Sequence, residues 1–397
     1  MTATILRNAT VLDPRAGELL PDRCVVVEDG VIAEVGDAEA RAGDTEARAR
    51  DAVTIDLRGR VLMPGLIDSH VHTTQASADF AELRSWSPYY TAARVSRLLR
   101  EMLMRGFTTV RDMGGADHGL ARAVEERLFD GPRVLFGGPI IAPTGGHGLT
   151  RICDGETELR RAIREQMAVG AHHVKLTLSG GIISTMSVDA LGYSEDEIRA
   201  AVDEANLAKR YVAGHAYTAE AVNRALRCGV RTIEHGNLID ESSIELFQRH
   251  DAFYVPTLAT YAALAGGESG SLSEQSRRKL LDVTDAGLHA LELADRAGLR
   301  IGYGTDLHGA FHDRQLTEFS LRAQVQKPAD VIRSATVTGA EIAGLVGRAG
   351  EIVPGAFADL LVVDGDPLQD IGVLTDPDRR LLLIMRGGAV VKNVLES

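Results

Sequence analysis

The chain has 397 residues, 45% hydrophobic and 25% charged, enough to bury a large core and too many for one small domain. A formal net charge of −13, with no basic run to offset it, argues against nucleic acid or an anionic membrane as partner. Three widely spaced cysteines, Cys24, Cys153 and Cys228, predict reduced thiols in a cytoplasmic protein. The sequence shows neither a signal-peptide pattern over residues 1–15 nor an apolar run of membrane-spanning length.

The first 60 residues predict strands over 2–12, 23–28, 31–35 and 53–57, all β-branched and apolar. Asp29-Gly30 is a turn, and the Ala-rich, charged stretch 36–50 reads as a loop or short exposed helix. The C-terminal end has the same character, with strands over 358–363, 380–385 and 389–392. The two ends, 1–60 and 346–397, are expected to form one small β domain; two separate β modules are the alternative.

The middle alternates. Short apolar strands are predicted at 63–72, 107–113, 133–138, 173–179, 211–217, 232–236, 252–257 and 299–306. Helical patterns fall at 92–105, 119–129, 157–169, 194–209, 218–228, 243–250 and 273–297, and 328–345 follows the last strand. Eightfold strand–helix alternation over residues 61–345 predicts an α/β fold, a closed parallel (β/α)8 TIM barrel. A doubly wound open sheet is the alternative, but no Gly-rich dinucleotide turn follows the first strand.

Such barrels carry their chemistry at the carboxyl ends of the strands. The first strand ends Asp68-Ser69-His70-Val71-His72, and residues i and i+2 of a strand face one side, so the two imidazoles aim at one point. A metal ion is one reason for that; two satisfied histidines are the other. Later strand ends add Arg111 and Asp112, then Lys175, His215, His235 and Asp306. Four histidines, an aspartate and a lysine at one mouth suit zinc or a similar divalent ion. Lys175 reads either as a buried amine or as an outward lysine with its stem packed.

Together, His70-x-His72, Lys175, His215, His235 and Asp306 resemble the metal-ligand pattern of the binuclear amidohydrolase superfamily, over essentially the whole chain. The resemblance implies a barrel with a β-sandwich built from both chain ends. It implies two divalent metal ions, zinc expected, with Lys175 carboxylated by CO2 as an anionic bridge. His70, His72 and Asp306 would hold one metal and His215 and His235 the other. Thr144-Gly145-Gly146-His147-Gly148, His215-Ala216-Tyr217-Thr218, 234–240, 255–257, 334–336 and 358–363 are most similar to the Xaa-Pro and Xaa-Arg dipeptidases and carboxypeptidases of that superfamily. In those relatives the residues matching His147 and Tyr217 contact substrate; here a stabilised glycine turn and barrel wall are the plainer roles.

Two departures stand out. Leu149 follows Gly-Gly-His-Gly where the family often has an acidic residue, and the loop 180–189 has no proline. Its apolar character points to a less polar substrate than a charged dipeptide. Trp86, Tyr89 and Tyr90 after the first strand suggest a lid, or ordinary packing. The expected activity is hydrolysis of the amide bond of a dipeptide or an N-acyl or N-aryl-acyl amino acid. A metal-bridging hydroxide would attack, and Asp306 would carry the proton to the leaving amine. A cyclic-amide or lactone hydrolase, a deaminase and a non-catalytic assembly protein are the alternatives. A small-molecule substrate and a homo-oligomer are expected.

Overall fold

The structure, a computed structural model, describes residues 3–37, 52–148, 150–266 and 272–395. Residues 36 and 37 prolong a strand; the rest of the expected loop or helix at 36–50, and Leu149, lie outside the described residues. The chain divides into two compact units. One is Met1–Ile67, Glu101–Thr109 and Lys327–Ser397; the other is Asp68–Arg100 and Val110–Gln326. These limits differ from the expected 60/61 and 345/346. Residues after Lys327 join the first unit because the Ile67 N–H donates to the Ala335 carbonyl at 2.7 Å and Ile67 packs with Ala340 and Ala349. The helix expected at 328–345 is two, Pro328–Ser334 and Val337–Ala343.

The first unit is a β domain made from both chain ends. Its strands run in the order Ala389–Asn393, Leu381–Arg386, Leu360–Val363, Val61–Pro64, Thr4–Asp13, Glu18–Glu28, Val31–Asp37, with Val53–Asp56 also paired to Thr4–Asp13. The ends meet where Leu360–Val363 runs antiparallel to Val61–Pro64, with Leu361 opposite Met63. Leu6, Val25, Val27, Ile32, Leu62 and Leu383 share one buried cluster, as alternating apolar positions require. The ladders join all these strands into one eight-stranded sheet, where the resemblance implied a two-sheet sandwich.

The second unit holds a seven-stranded, all-parallel sheet. Its order is Thr150–Ile152, Ile140–Ala142, Val174–Thr177, Val212–Thr218, Thr232–Leu238, Phe253–Val255, Arg300–Ile301. A separate ladder joins Leu66–Val71, Phe107–Asp112 and Arg133–Phe136. Helices Gly155–Ala168, Glu195–Leu207, Ala219–Arg227, Glu241–His250 and Glu274–Arg296 intervene, each with an apolar stripe in or against the core. Ser194, Thr218, Asp240 and Ser273 cap four of them, Ser194 in a reciprocal box with Glu197.

The mixed α/β alternation is therefore present, but the ladders do not close into the expected ring. Backbone bonds outside the ladders span the gaps: His172 N–H to the Phe136 carbonyl at 2.8 Å and, between the first and last strands, Ser69 N–H to the Tyr303 carbonyl at 2.7 Å and the Thr305 and Asp306 N–H groups to the His70 carbonyl at 3.2 and 2.8 Å. The eighth strand pairs for only two residues because its continuation leaves the ladder to present Asp306. The helix Leu258–Ala265 and the strands Ile140–Ala142 and Thr150–Ile152 were not expected. The three cysteines are free and buried. Among the described residues no helix is long and apolar enough to cross a membrane.

Candidate metal centre

Strand alternation places His70, and His72 just past the strand end, with ring centroids 5.5 Å apart. Each ring is oriented through Nδ1. His72 Nδ1 donates to the Gly114 carbonyl at 3.0 Å, and His70 Nδ1 donates to the Glu234 carboxylate at 2.7 Å. That leaves both Nε2 atoms facing Asp306 Oδ1, at 3.3 Å from His70 and 3.1 Å from His72. Hydrogen bonding the far nitrogen to fix tautomer and orientation is how proteins prepare histidine for a metal.

Asp306 reaches this point by leaving its strand. Its N–H donates to the His70 carbonyl at 2.8 Å, and its φ of 53° is a left-handed conformation that non-glycine residues seldom adopt. Asp68 secures the same corner, accepting from Thr305 Oγ1 at 2.7 Å and Gln315 Nε2 at 2.9 Å. Gly304 leaves room for it, since a Cβ there would stand 2.9 Å from the His70 Cβ. His235 also has positive φ, 77°, and its Nδ1 lies 2.8 Å from Thr257 Oγ1.

The His215 ring lies 4.6 Å from that of His235 and stacks on His147 at 4.8 Å. Tyr217 stacks on His235 at 5.3 Å and meets the Tyr261 hydroxyl at 3.3 Å. Lys175, in Val174–Thr177, is 3% exposed. His70, His72, Lys175, His215, His235 and Asp306 all line one cavity of about 380 Å³, as do His147 and Tyr217. Ile140, Ile182, Ile183 and Leu264 add apolar wall, and Arg84 adds a guanidinium.

Burial, the dominant influence, keeps most of these imidazoles neutral. It pushes His147 down to about 4 and His308 to about 3, and holds His215 and His235 well below the usual range. Burial alone would raise Asp306, but His70 and His72 hold it well below the carboxylate range. Burial lowers the Lys175 amine to about 8. Burial alone would lower His72, but the Asp306 hydrogen bond and charge raise it. Imidazoles around an ionised carboxylate are the donor set that zinc takes.

Donor atoms within 4.8 Å of one another fall into two groups: His70, His235 and Asp306, and His72, Asp306 and His308. Asp306 is common to both. This cuts across the division implied by the resemblance, and it brings in His308, which the sequence reading missed. Asp306-Leu307-His308 repeats the i, i+2 spacing of His70 and His72, the signal that points to it. Arg111 and Asp112 prove to be supports. Asp112 accepts from the Thr73 N–H at 2.7 Å and the Gly114 N–H at 3.0 Å, pinning the loops after the first two strands. Arg111 donates to Glu234 at 2.8 Å. Trp86, Tyr89 and Tyr90 do not line the cavity. Trp86 packs edge-on against Tyr90 at 4.9 Å, and Tyr89 is 89% exposed.

Buried imidazoles sharing a carboxylate, open to a cavity beside strand ends, define a candidate metal-dependent hydrolytic site. Residues 61–391 match the Amidohydrolase family, and the chain belongs to it. It is a hydrolase of amide bonds. Ochratoxinase from Aspergillus niger is 28% identical over 416 residues, covering 97% of this chain and 86% of that one. A solved amidohydrolase is 43% identical over 100% of both chains, with a TM-score of 0.95. A prolidase crystallised with N-methylphosphonate-L-proline is 42% identical, with a TM-score of 0.94 over 99% of this chain and 100% of that one.

Proposed function

We propose that the protein hydrolyses the amide bond of a dipeptide or an N-acyl or N-aryl-acyl amino acid at a binuclear site at the carboxyl ends of its parallel strands. The observation that carries this reading is the convergence of His70, His72, His235 and His308 on one ionised Asp306 within a cavity that Lys175 and His215 also line. The similarity to a prolidase and to ochratoxinase supports the substrate class.

His70, His72, His215, His235 and Asp306, with Lys175, would hold two divalent ions, zinc by donor type. When bound, such ions supply Lewis acidity toward a carbonyl oxygen and bring the pKa of water near neutrality. Lys175 is suited to carboxylation. With its pKa near 8, about one amine in ten is neutral at pH 7, and the neutral nitrogen adds CO2 to give a carbamate anion and a proton. Asp306, held ionised, accepts a proton and returns it to the departing amine nitrogen. The Tyr217 hydroxyl and the neutral His147 ring, both on the cavity wall, supply hydrogen bonds to the substrate. The isoleucines and Leu264 accept an apolar acyl or side-chain group.

The test is a hydrolysis screen of the metal-loaded protein against Xaa-Pro and other dipeptides, N-acyl amino acids and aryl amides of amino acids. At least one class should turn over with kcat/KM of about 10,000 M⁻¹ s⁻¹ or more, abolished by a chelator. A protein that carries its metals yet cleaves none of these contradicts the reading.

A further inference from the structure

The loop 180–189 follows the Lys175 strand and supplies Ile182, Ile183, Ser184 and Thr185 to the cavity wall. Three of its backbone carbonyls converge on one atom. Lys279 Nζ donates to the Gly181 oxygen at 3.1 Å, to the Ser184 oxygen at 2.9 Å and to the Met186 oxygen. An ammonium has three protons and no acceptor, so the three carbonyls satisfy it completely. Lys279 belongs to Glu274–Arg296, is 9% exposed, and has no carboxylate partner among the described residues. A buried ammonium with nothing but carbonyl dipoles around it is costly unless those dipoles are fixed toward it.

The loop is built for this. The Ser184 hydroxyl accepts from the Gly181 N–H at 2.9 Å, closing a tight ring. A Cβ on Gly181 would meet the His147 ring at 2.7 Å. The Gly180 carbonyl faces His215 Nε2 at 3.3 Å, so one short segment touches both a cavity imidazole and the ammonium. Ile182 packs with Leu280 and Val283, neighbours of Lys279 on the same helix.

We propose that Lys279 is a positioning residue: its ammonium occupies a cation site of three backbone carbonyls and holds the 180–189 loop as the substrate-facing wall. The site emptied by its removal takes a small monovalent cation, ammonium or potassium, since ringed backbone carbonyls replace the hydration shell of such ions.

The test uses the metal-loaded full chain and Lys279→Ala. Hydrogen exchange across residues 180–191 should rise roughly tenfold or more while metal content stays unchanged. Ammonium or potassium chloride should restore protection; tetramethylammonium chloride at equal ionic strength should not. With a substrate from the screen, KM should rise about tenfold or more, with kcat much less affected and the same ions reversing the change. This kinetic arm rests on the hydrolase reading; the exchange arm does not, so failure of one is separable from failure of the other. If Lys279→Ala does not fold, Lys279→Met keeps the packed stem without the charge, and its loop should exchange faster with no rescue by either ion. Wild-type protection in the variant, or a loss that tetramethylammonium reverses equally well, would overturn the proposal.

Discussion

Lys175→Ala is expected to leave a folded protein that has lost metal and turnover together. Removing a buried amine relieves a desolvation cost that offsets the lost packing of its stem, so the melting transition of the metal-free protein should change little. What disappears is the amine that carboxylation would turn into an anionic bridge beside Asp306. Metal content should fall from about two ions per chain to one or fewer, and kcat by about 1,000-fold or more. That factor corresponds to the several kcal/mol a Lewis-acidic centre supplies. Elemental analysis and steady-state kinetics on the same preparation decide it. Full metal content with wild-type turnover would remove Lys175 from the mechanism.

Glu234→Gln should produce a different pattern, a loss of metal affinity accompanied by a loss of stability. Glu234 is fully buried and holds three partners at once: His70 Nδ1 at 2.7 Å, Arg111 Nη2 at 2.8 Å and Thr232 Oγ1 at 2.6 Å. Burial opposes its charge, but Arg111 and the His70 hydrogen bond keep it ionised. The amide leaves the Arg111 guanidinium buried without a counter-charge, which typically costs 3–5 kcal/mol, here about that range. It also frees the His70 ring, and loss of such a supporting hydrogen bond typically weakens metal binding by about 10- to 100-fold. The two effects separate in the double variant Arg111→Met, Glu234→Gln, which should regain stability while metal stays weak. Calorimetric titration with zinc, beside thermal melts, measures both. A Gln variant that binds zinc as tightly as the wild type would mean that His70 needs no carboxylate to orient it.

Much of this site is legible in the sequence because strand alternation is a strict rule. His70 and His72 need only period two and an apolar lead-in, and Lys175, His215 and His235 need only their places in later strands. Asp306 is found the same way, although its strand pairs at only two residues. What periodicity does not carry is any position beyond the predicted strands. His308 shares the i, i+2 spacing but sits past the strand, where no alternation exists to read. The helix Leu258–Ala265 begins after Thr257 at φ 51°, an unusual backbone state for threonine, with no side-chain cap to announce it. Glu234 stands in the quoted Glu234-His235 pair, yet its partners come from 123 and 164 residues away. Lys279 is further from view, because its partners are carbonyls, which every residue possesses. The unit boundaries shifted for a similar reason: Ile67 and Ala335 are joined by a backbone bond that leaves no trace in composition.

Amide hydrolysis by this set of side chains is expected to require two divalent ions. Metal-stripped protein titrated with zinc in the presence of bicarbonate tests it most directly, with turnover followed against equivalents added. Activity should rise until about two equivalents per chain are bound and then level. A plateau at one equivalent, or full activity before any zinc is added, would contradict it.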